Sequence, residues 1–322
     1  MAIVKKFLFI NTLPCALEQI NDDYEFNDLN QTRGDRIIYI HQPVTAPQLG
    51  ILICLDGENE ISSIVTEQIE STPDILDRLY KEDGHTKQLA VFIPAPPLMR
   101  DRVAEYACNP DFTSFLHDQL LPLLQRPLSE GGLFECSTDR EQIAISGVSM
   151  SAVAAVHTVL KHPNTFSKAL VQSGAFWWYR GWEKECSFDA AQLDLSVGKM
   201  EWLDAHEYPP YQPDLPISFY LQAGKEEKGF DGFPTFATLH NDLEQKLIAK
   251  GHQVKHELID GGSHSYDFWQ KHKESAFRQM GFASLGINSK LTKDFHSFWK
   301  APEAAIRVKV SGGQEESRPE FK

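Results

Sequence analysis

The chain has 322 residues, 42% of them hydrophobic and 24% charged. That balance is globular and excludes collagen-like, coiled-coil and largely disordered chains; the length fits two domains of about 150 residues or one large α/β domain. A net charge of −14 repels phosphate backbones and argues against nucleic-acid partners, and no apolar run approaches the ~18 residues of a membrane span.

Lys5 and Lys6 precede the apolar run Phe7-Leu8-Phe9-Ile10, which imitates a signal peptide. Asn11, Thr12 and Pro14 break that run too early for an h-region, so it reads as a strand or short helix of the mature protein. The five cysteines (Cys15, Cys54, Cys108, Cys136 and Cys186) are odd in number, and none are paired at C-x-x-C spacing. A disulfide framework is not expected, and a reducing, cytoplasmic setting is.

Short β-rich apolar runs alternate with helical patterns from residue 36 onward. Strands are expected at 36–41, 50–55 (buried on both faces) and 89–93. Phe112, Phe115, Leu116, Leu120 and Leu123 recur at helical spacing up to Pro127. A strand at 142–146, a helix at 151–161 and a strand at 168–172 follow. Residues 176–214 are irregular and hold four of the six Trp. A strand at 217–222, a helix with Phe236, Leu239, Leu243 and Leu247 on one face, and a strand at 254–259 complete the pattern. Alternation of this kind predicts an α/β fold with a mostly parallel central sheet and helices on both faces. It divides the chain into an N-terminal extension (1–35), a catalytic domain (36–300) and a polar tail (301–322), with 176–214 as a small cap insertion over the sheet's C-terminal edge.

Ser146-Gly147-Val148-Ser149-Met150-Ser151 follows one strand and opens the next helix. A serine at the tip of such a turn points its hydroxyl out of the sheet, with a helix N-terminus behind it to stabilise negative charge. Ser149 is therefore the expected nucleophile, with Ser173 next; the bland alternative for Ser149 is a helix cap. A serine needs a base. Of twelve histidines, His264 has the expected place, on the glycine-rich loop after the last strand. His252, His256 and His272 lie in or beside regular elements, and no metal-binding pattern or cofactor motif is present. The carboxylate that would orient His264 is expected after strand 217–222. There Glu227 and Glu226 compete, with Asp231 and Asp260 behind them, and Glu227 is favoured. Backbone N–H groups of Met150 and of the Asp56-Gly57-Glu58 turn, with Gly57 as the named position, are the expected oxyanion donors.

These segments carry a resemblance. Leu55-Asp56-Gly57-Glu58, the run from Arg102 through Glu105, Tyr106 and Asn109 to Phe112, and Gln119-Leu120-Leu121-Pro122 are similar to the enterochelin (enterobactin) esterase-like Putative esterase family of the α/β-hydrolase superfamily. The likeness continues through Gly147-Val148-Ser149-Met150, Gln172-Ser173-Gly174-Ala175-Phe176-Trp177-Trp178, and Gly262-Ser263-His264 with Trp269. It implies a serine carboxylic-ester hydrolase that uses Ser149, His264 and Glu227, needs no cofactor and acts on small-molecule esters, with a catecholate siderophore as one candidate. It also raises Arg102 as a cleft residue. Arg180 beside Trp177 and Trp178 would suit an aromatic, anionic ligand; the alternative for Arg102 is an i,i+3 pair with Glu105. Ser151 stands where the family has Gly, Ser263 and Ser265 flank the histidine, and about 35 residues precede the strand at 36–41 where larger enterochelin esterases carry a separate domain. An acyltransferase and a non-catalytic ligand-binding homologue are the alternative functions.

Overall fold

Strands β4 (Gly50–Leu55), β5 (Gln88–Ile93) and β6 (Ile143–Val148) are buried at every position. A strand buried throughout requires both faces of its sheet to be covered. In the computed structural model, which describes residues 4–10, 16–20, 35–43, 48–62, 69–83, 87–177, 200–205, 208–212, 214–229 and 234–280, alternate residues of these strands feed two cores. Ile51, Ile53, Val91 and Ile145 pack under the helices Ser149–Lys161 and Phe236–Ala249. Leu52, Cys54, Ala90 and Ala144 pack under Thr72–Asp83 and Tyr266–Met280, through Ile75, Leu76, Leu79, Ala276 and Phe277. The period of two along each strand sets this division.

The remaining strands are β1 (Val4–Ile10), β2 (Ala16–Gln19), β3 (Arg36–His41), β7 (Lys168–Gln172), β8 (Ser218–Gly224) and β9 (Gln253–Ile259), in the sheet order β2-β1-β3-β5-β4-β6-β7-β8-β9. From β5 to β9 all pairs are parallel, whereas β2, β1 and β3 form an antiparallel edge. The apolar N-terminal run is thus a strand of the same sheet, with Phe7 and Phe9 buried and Phe9 packed edge-on against Phe115 at 4.9 Å. After β4 the chain moves to one side for β5 and to the other for β6, so the crevice at the carboxyl ends of β4 and β6 is a switch point, where ligands bind in such sheets.

The strands expected from residue 36 onward are found to within two residues at each end, whereas β2 was not expected. The helices Thr72–Asp83, Met99–Tyr106 and Glu201–Ala205, the last within the stretch read as irregular, also lay outside the sequence reading. The helix predicted at 112–124 starts at Pro110 and is continuous but winds as a π-helix over Phe115–Leu120, where Leu121 N–H reaches Leu116 O, five residues back. Pro122 lacks the N–H that a regular turn would have used there. The i,i+3 pair of Arg102 with Glu105, the alternative reading of Arg102, does not form. Glu105 receives both ends of Arg36 (3.0 and 2.7 Å), and Arg102 turns instead to Asp56.

Glu60, just after the turn that follows β4, forms an ion pair with Lys273 of the helix Tyr266–Met280, and their side chains are 2% and 1% exposed. Thr72 Oγ1 donates to the other carboxylate oxygen at 3.0 Å. Removing one member of a fully buried pair strands the other charge. Lys273→Met should therefore lower stability by about 3–5 kcal/mol, and adding Glu60→Gln should restore most of the loss. Urea midpoints of the three proteins would check this; an unchanged midpoint in Lys273→Met contradicts it.

Candidate active site

β6 runs straight into the helix Ser149–Lys161, and Ser149 absorbs the corner with a φ of +53°. That left-handed conformation costs a non-glycine residue about 1–3 kcal/mol and persists where neighbours over-determine it. Gly147 is one such neighbour. A Cβ there would sit 2.4 Å from Ser151 O, so no other residue fits without a shift. Ser151, where the family has Gly, closes the corner: its hydroxyl accepts from Val148 N at 2.9 Å and donates to Val148 O at 2.8 Å. Ala175 N–H donates to Ser149 O at 2.9 Å, which ties the corner to the loop after β7. Met150 follows in the first helical turn, where N–H groups have no acceptor within the helix.

The loops after β8 and β9 meet because both carry glycine at the contact. A Cβ on Gly224 would lie 2.7 Å from Gly262 Cα, and one on Gly262 2.6 Å from Gly224 Cα. Lys225 N–H donates to Ile259 O at 2.8 Å across the same gap. This approach sets His264 between Ser149 and Glu227. Ser149 Oγ donates to His264 Nε2 at 2.8 Å, and His264 Nδ1–H donates to Glu227 Oε1 at 2.7 Å. The carboxylate can only accept, which fixes the proton on Nδ1 and leaves Nε2 as the acceptor that faces the serine. Phe236 stacks on the imidazole at 4.3 Å and Trp269 meets it edge-on at 4.9 Å.

Glu227 is 1% exposed. Its second oxygen accepts from Ser173 Oγ at 2.6 Å and from Gly224 N–H at 3.1 Å. Glu226 is exposed, and Asp260 pairs in solvent with Lys225. Asp231 lies outside the described residues, as do Trp178 and Arg180. Ser173 is fully buried rather than open to the cleft. Sequence reasoning missed the supporting roles of Ser173 and Phe236, which no local motif signals. Among the described residues no group of three His, Cys, Asp or Glu could hold a metal ion.

A cavity of about 480 Å³ opens at Ser149, walled by Met150, Trp177, Tyr266, Trp269, Met99 and the prolines 96 and 97. Across it the turn Gly57–Asn59 follows Asp56, whose backbone is left-handed and whose side chain is fully buried. Gly57 allows this turn to lie on β5, since a Cβ there would meet Phe92 Cα at 2.7 Å. Arg102 clamps the turn from the helix Met99–Tyr106, with Nε at 2.9 Å and Nη2 at 2.6 Å from the two Asp56 oxygens. Arg102 therefore borders the cavity with its charge matched by Asp56.

Glu58, on the same wall, accepts from Ala95 N–H at 3.0 Å. Burial, with a smaller push from Asp56, raises its carboxyl to about 7, against a partial pull from Arg102. Below about pH 4.5 both folded and unfolded chains hold this proton. Between about 4.5 and 7 the unfolded chain ionises first, so the native state loses stability as pH rises; above that range the loss is constant. Glu58→Gln should remove this slope. Thermal midpoints of variant and wild type should diverge across that window in the variant's favour and run parallel outside it; a constant difference from pH 4 to 8 contradicts the assignment.

The chain resembles known proteins in both sequence and fold. Residues 30–280 match the family described as “Putative esterase”. The chain is 26% identical over 185 residues to the iron(III) enterobactin esterase of Dickeya dadantii (strain 3937), a match that covers 55% of this chain and 37% of the relative. Its fold is similar to the enterobactin esterase of Shigella flexneri solved in the presence of enterobactin, with a TM-score of 0.57, 22% identity, and coverage of 76% of this chain and 55% of that one. A ferulic acid esterase shares the fold at a TM-score of 0.57 and 14% identity, covering 87% of this chain and 98% of that one. The chain thus spans about half or less of the length of the enterobactin esterases it matches. Residues 30–280 place the chain in the Putative esterase family, and its mostly parallel, helix-covered sheet is the α/β-hydrolase fold of the solved esterases it resembles.

Proposed function

We propose that the chain is a serine carboxylic-ester hydrolase that works through an acyl-enzyme on Ser149. The observation that carries this reading is the unbroken line from Ser149 Oγ through His264 to the buried Glu227, at the mouth of a cavity. Ser149 attacks the ester carbonyl while His264 Nε2 takes its proton. Glu227 stabilises the imidazolium that forms, and His264 then protonates the departing alcohol. The N–H groups of Met150 and Gly57 hold the oxyanion. Water, activated by His264, releases the acid.

The substrate we propose is a catecholate siderophore ester of the enterochelin type, hydrolysed in the cytoplasm. The support is the family match, together with the indole and phenol faces of Trp177, Trp269 and Tyr266, which suit an aromatic acyl group. Arg102 commits two of its five N–H donors to Asp56. Its remaining donors are assigned to a phenolic oxygen, with Trp178 and Arg180 as further contacts. The compartment rests on the odd cysteine count and the lack of C-x-x-C spacing.

A fluorophosphonate probe should label the wild type and not Ser149→Ala. Ser149→Ala should lower hydrolysis of p-nitrophenyl esters by about 10³-fold or more, His264→Ala should match it, and the double variant should be little worse than either. Glu227→Gln should cost on the order of 10²–10⁴-fold, and Glu226→Gln little. Retained activity in Ser149→Ala, or a labelled variant, overturns the mechanism. A trilactone siderophore hydrolysed no faster than simple esters overturns the substrate assignment alone, and transfer to an added alcohol in preference to water would make the enzyme an acyltransferase.

A further inference from the structure

Ser173 lies 24 residues after Ser149 in the chain, on the loop that follows β7, and takes no part in the chemistry above. It is fully buried and strained, with a φ of +45°. Its hydroxyl has two partners: it donates to Glu227 Oε2 at 2.6 Å and accepts from Trp269 Nε1–H at 2.8 Å. The direction of this chain is fixed at both ends, because an indole N–H can only donate and a carboxylate can only accept. Trp269, one turn into the helix after His264, also packs edge-on against that imidazole.

We infer that Ser173, oriented by Trp269, is a positioning residue for Glu227: it holds one carboxylate oxygen so that the other stays on His264 Nδ1. The inference rests on the Ser149–His264–Glu227 reading. A carboxylate turns freely about its last bond unless both oxygens are held. Here Oε1 faces His264, and Oε2 is held by Ser173 and by Gly224 N–H. Of the two donors to Oε2, Ser173 Oγ is the nearer. Strain at φ +45° is tolerated because the loop fixes the hydroxyl between donor and acceptor: Ser173 N–H donates to Gln222 O at 2.8 Å and Gly174 N–H to His240 Nε2 at 2.8 Å.

Loss of the hydroxyl leaves a buried carboxylate with one donor fewer and a greater affinity for a proton. Glu227 and His264 share that proton as a pair, so the pair as a whole becomes easier to protonate. The other titratable groups nearby are His240, which burial keeps neutral, the solvent-exposed Lys225–Asp260 pair, and Arg102, Glu58 and Tyr266 across the cavity.

The experiment is the pH–rate profile of the full-length enzyme on a p-nitrophenyl ester, for wild type, Ser173→Ala, Trp269→Phe and the double variant. Ser173→Ala should lower kcat about 10-fold, leave KM within about twofold, and move the acid limb about half a pH unit or more upward. Trp269→Phe removes the N–H and keeps an aromatic, though smaller, ring beside His264; its loss in kcat should be smaller and its shift in the same direction. The double variant should be no slower in kcat than Ser173→Ala, since the indole acts through the hydroxyl. An acid limb that stays in place or moves down in Ser173→Ala overturns the inference while Ser149→Ala remains silent and the triad stands; activity retained by Ser149→Ala removes both. If Ser173→Ala does not fold, an unmoved acid limb in Trp269→Phe overturns the inference instead.

Discussion

A carboxylate at 1% exposure is the constraint around which the site is built. A charge so buried is tolerated only if donors replace the water it has lost. Each donor comes from the carboxyl end of a different strand or the loop after it. β7 leads to Ser173, β8 ends at Gly224 N–H, and the loop beyond β9 supplies His264. These strands are adjacent and parallel, so their carboxyl ends lie side by side and one carboxylate can reach all three. An antiparallel partner in that row would send its loop to the far edge of the sheet and leave the charge under-satisfied. Parallel order here is therefore a condition of the site.

Close backbone approach is the second requirement, and it falls on three glycines. Gly224 and Gly262 touch each other, and Gly147 touches the carbonyl of Ser151. Each would admit a side chain only by moving backbone. The corner at Ser149 adds strain of its own, which the helix start resists through Ser151. A glycine at that position would leave Val148 N–H and C=O without this partner. The serine thus gives back, as two hydrogen bonds, what the tighter residue would have provided as space.

The residues of the hydrogen-bonded line Ser149–His264–Glu227 are legible in sequence because each sits where chain order and local turn chemistry put it. Ser149 stands between a buried strand and a helix, and His264 follows two glycines after the last strand. Glu227 was one of four carboxylates open to that reading; the space between Gly224 and Gly262, which no local pattern records, is what separates it from Glu226 and Asp260. The supports of the line are less legible, since Ser173 meets Glu227 across 54 residues and Trp269 across 96. Phe236 read correctly as the apolar face of a helix, but that face also stacks on His264. The helix Met99–Tyr106 escaped the pattern because it buries little beyond Val103 and Tyr106, too few positions to register as a period. Thr72–Asp83 carried usable signals in Ser71, Pro73 and Asp74, the residues of a helix start.

Arg102 marks where a residue type suggests one task and its surroundings another. A guanidinium in an acidic protein draws attention as an anchor for an anionic substrate. Its fork, however, lies on both oxygens of a fully buried Asp56, so the pair contributes little net charge to the cavity and a great deal of order to the turn. That turn lies beside the cavity and carries Gly57, so the ion pair fixes the backbone geometry on that side of it. Glu58 completes the wall as a carboxyl that burial holds toward its neutral form near pH 7. Among the described residues, then, the wall opposite Ser149 is close to electrically neutral. Trp177, Tyr266 and Trp269 add aromatic faces to the same cavity, and a ring face attracts a flat apolar group whatever its charge.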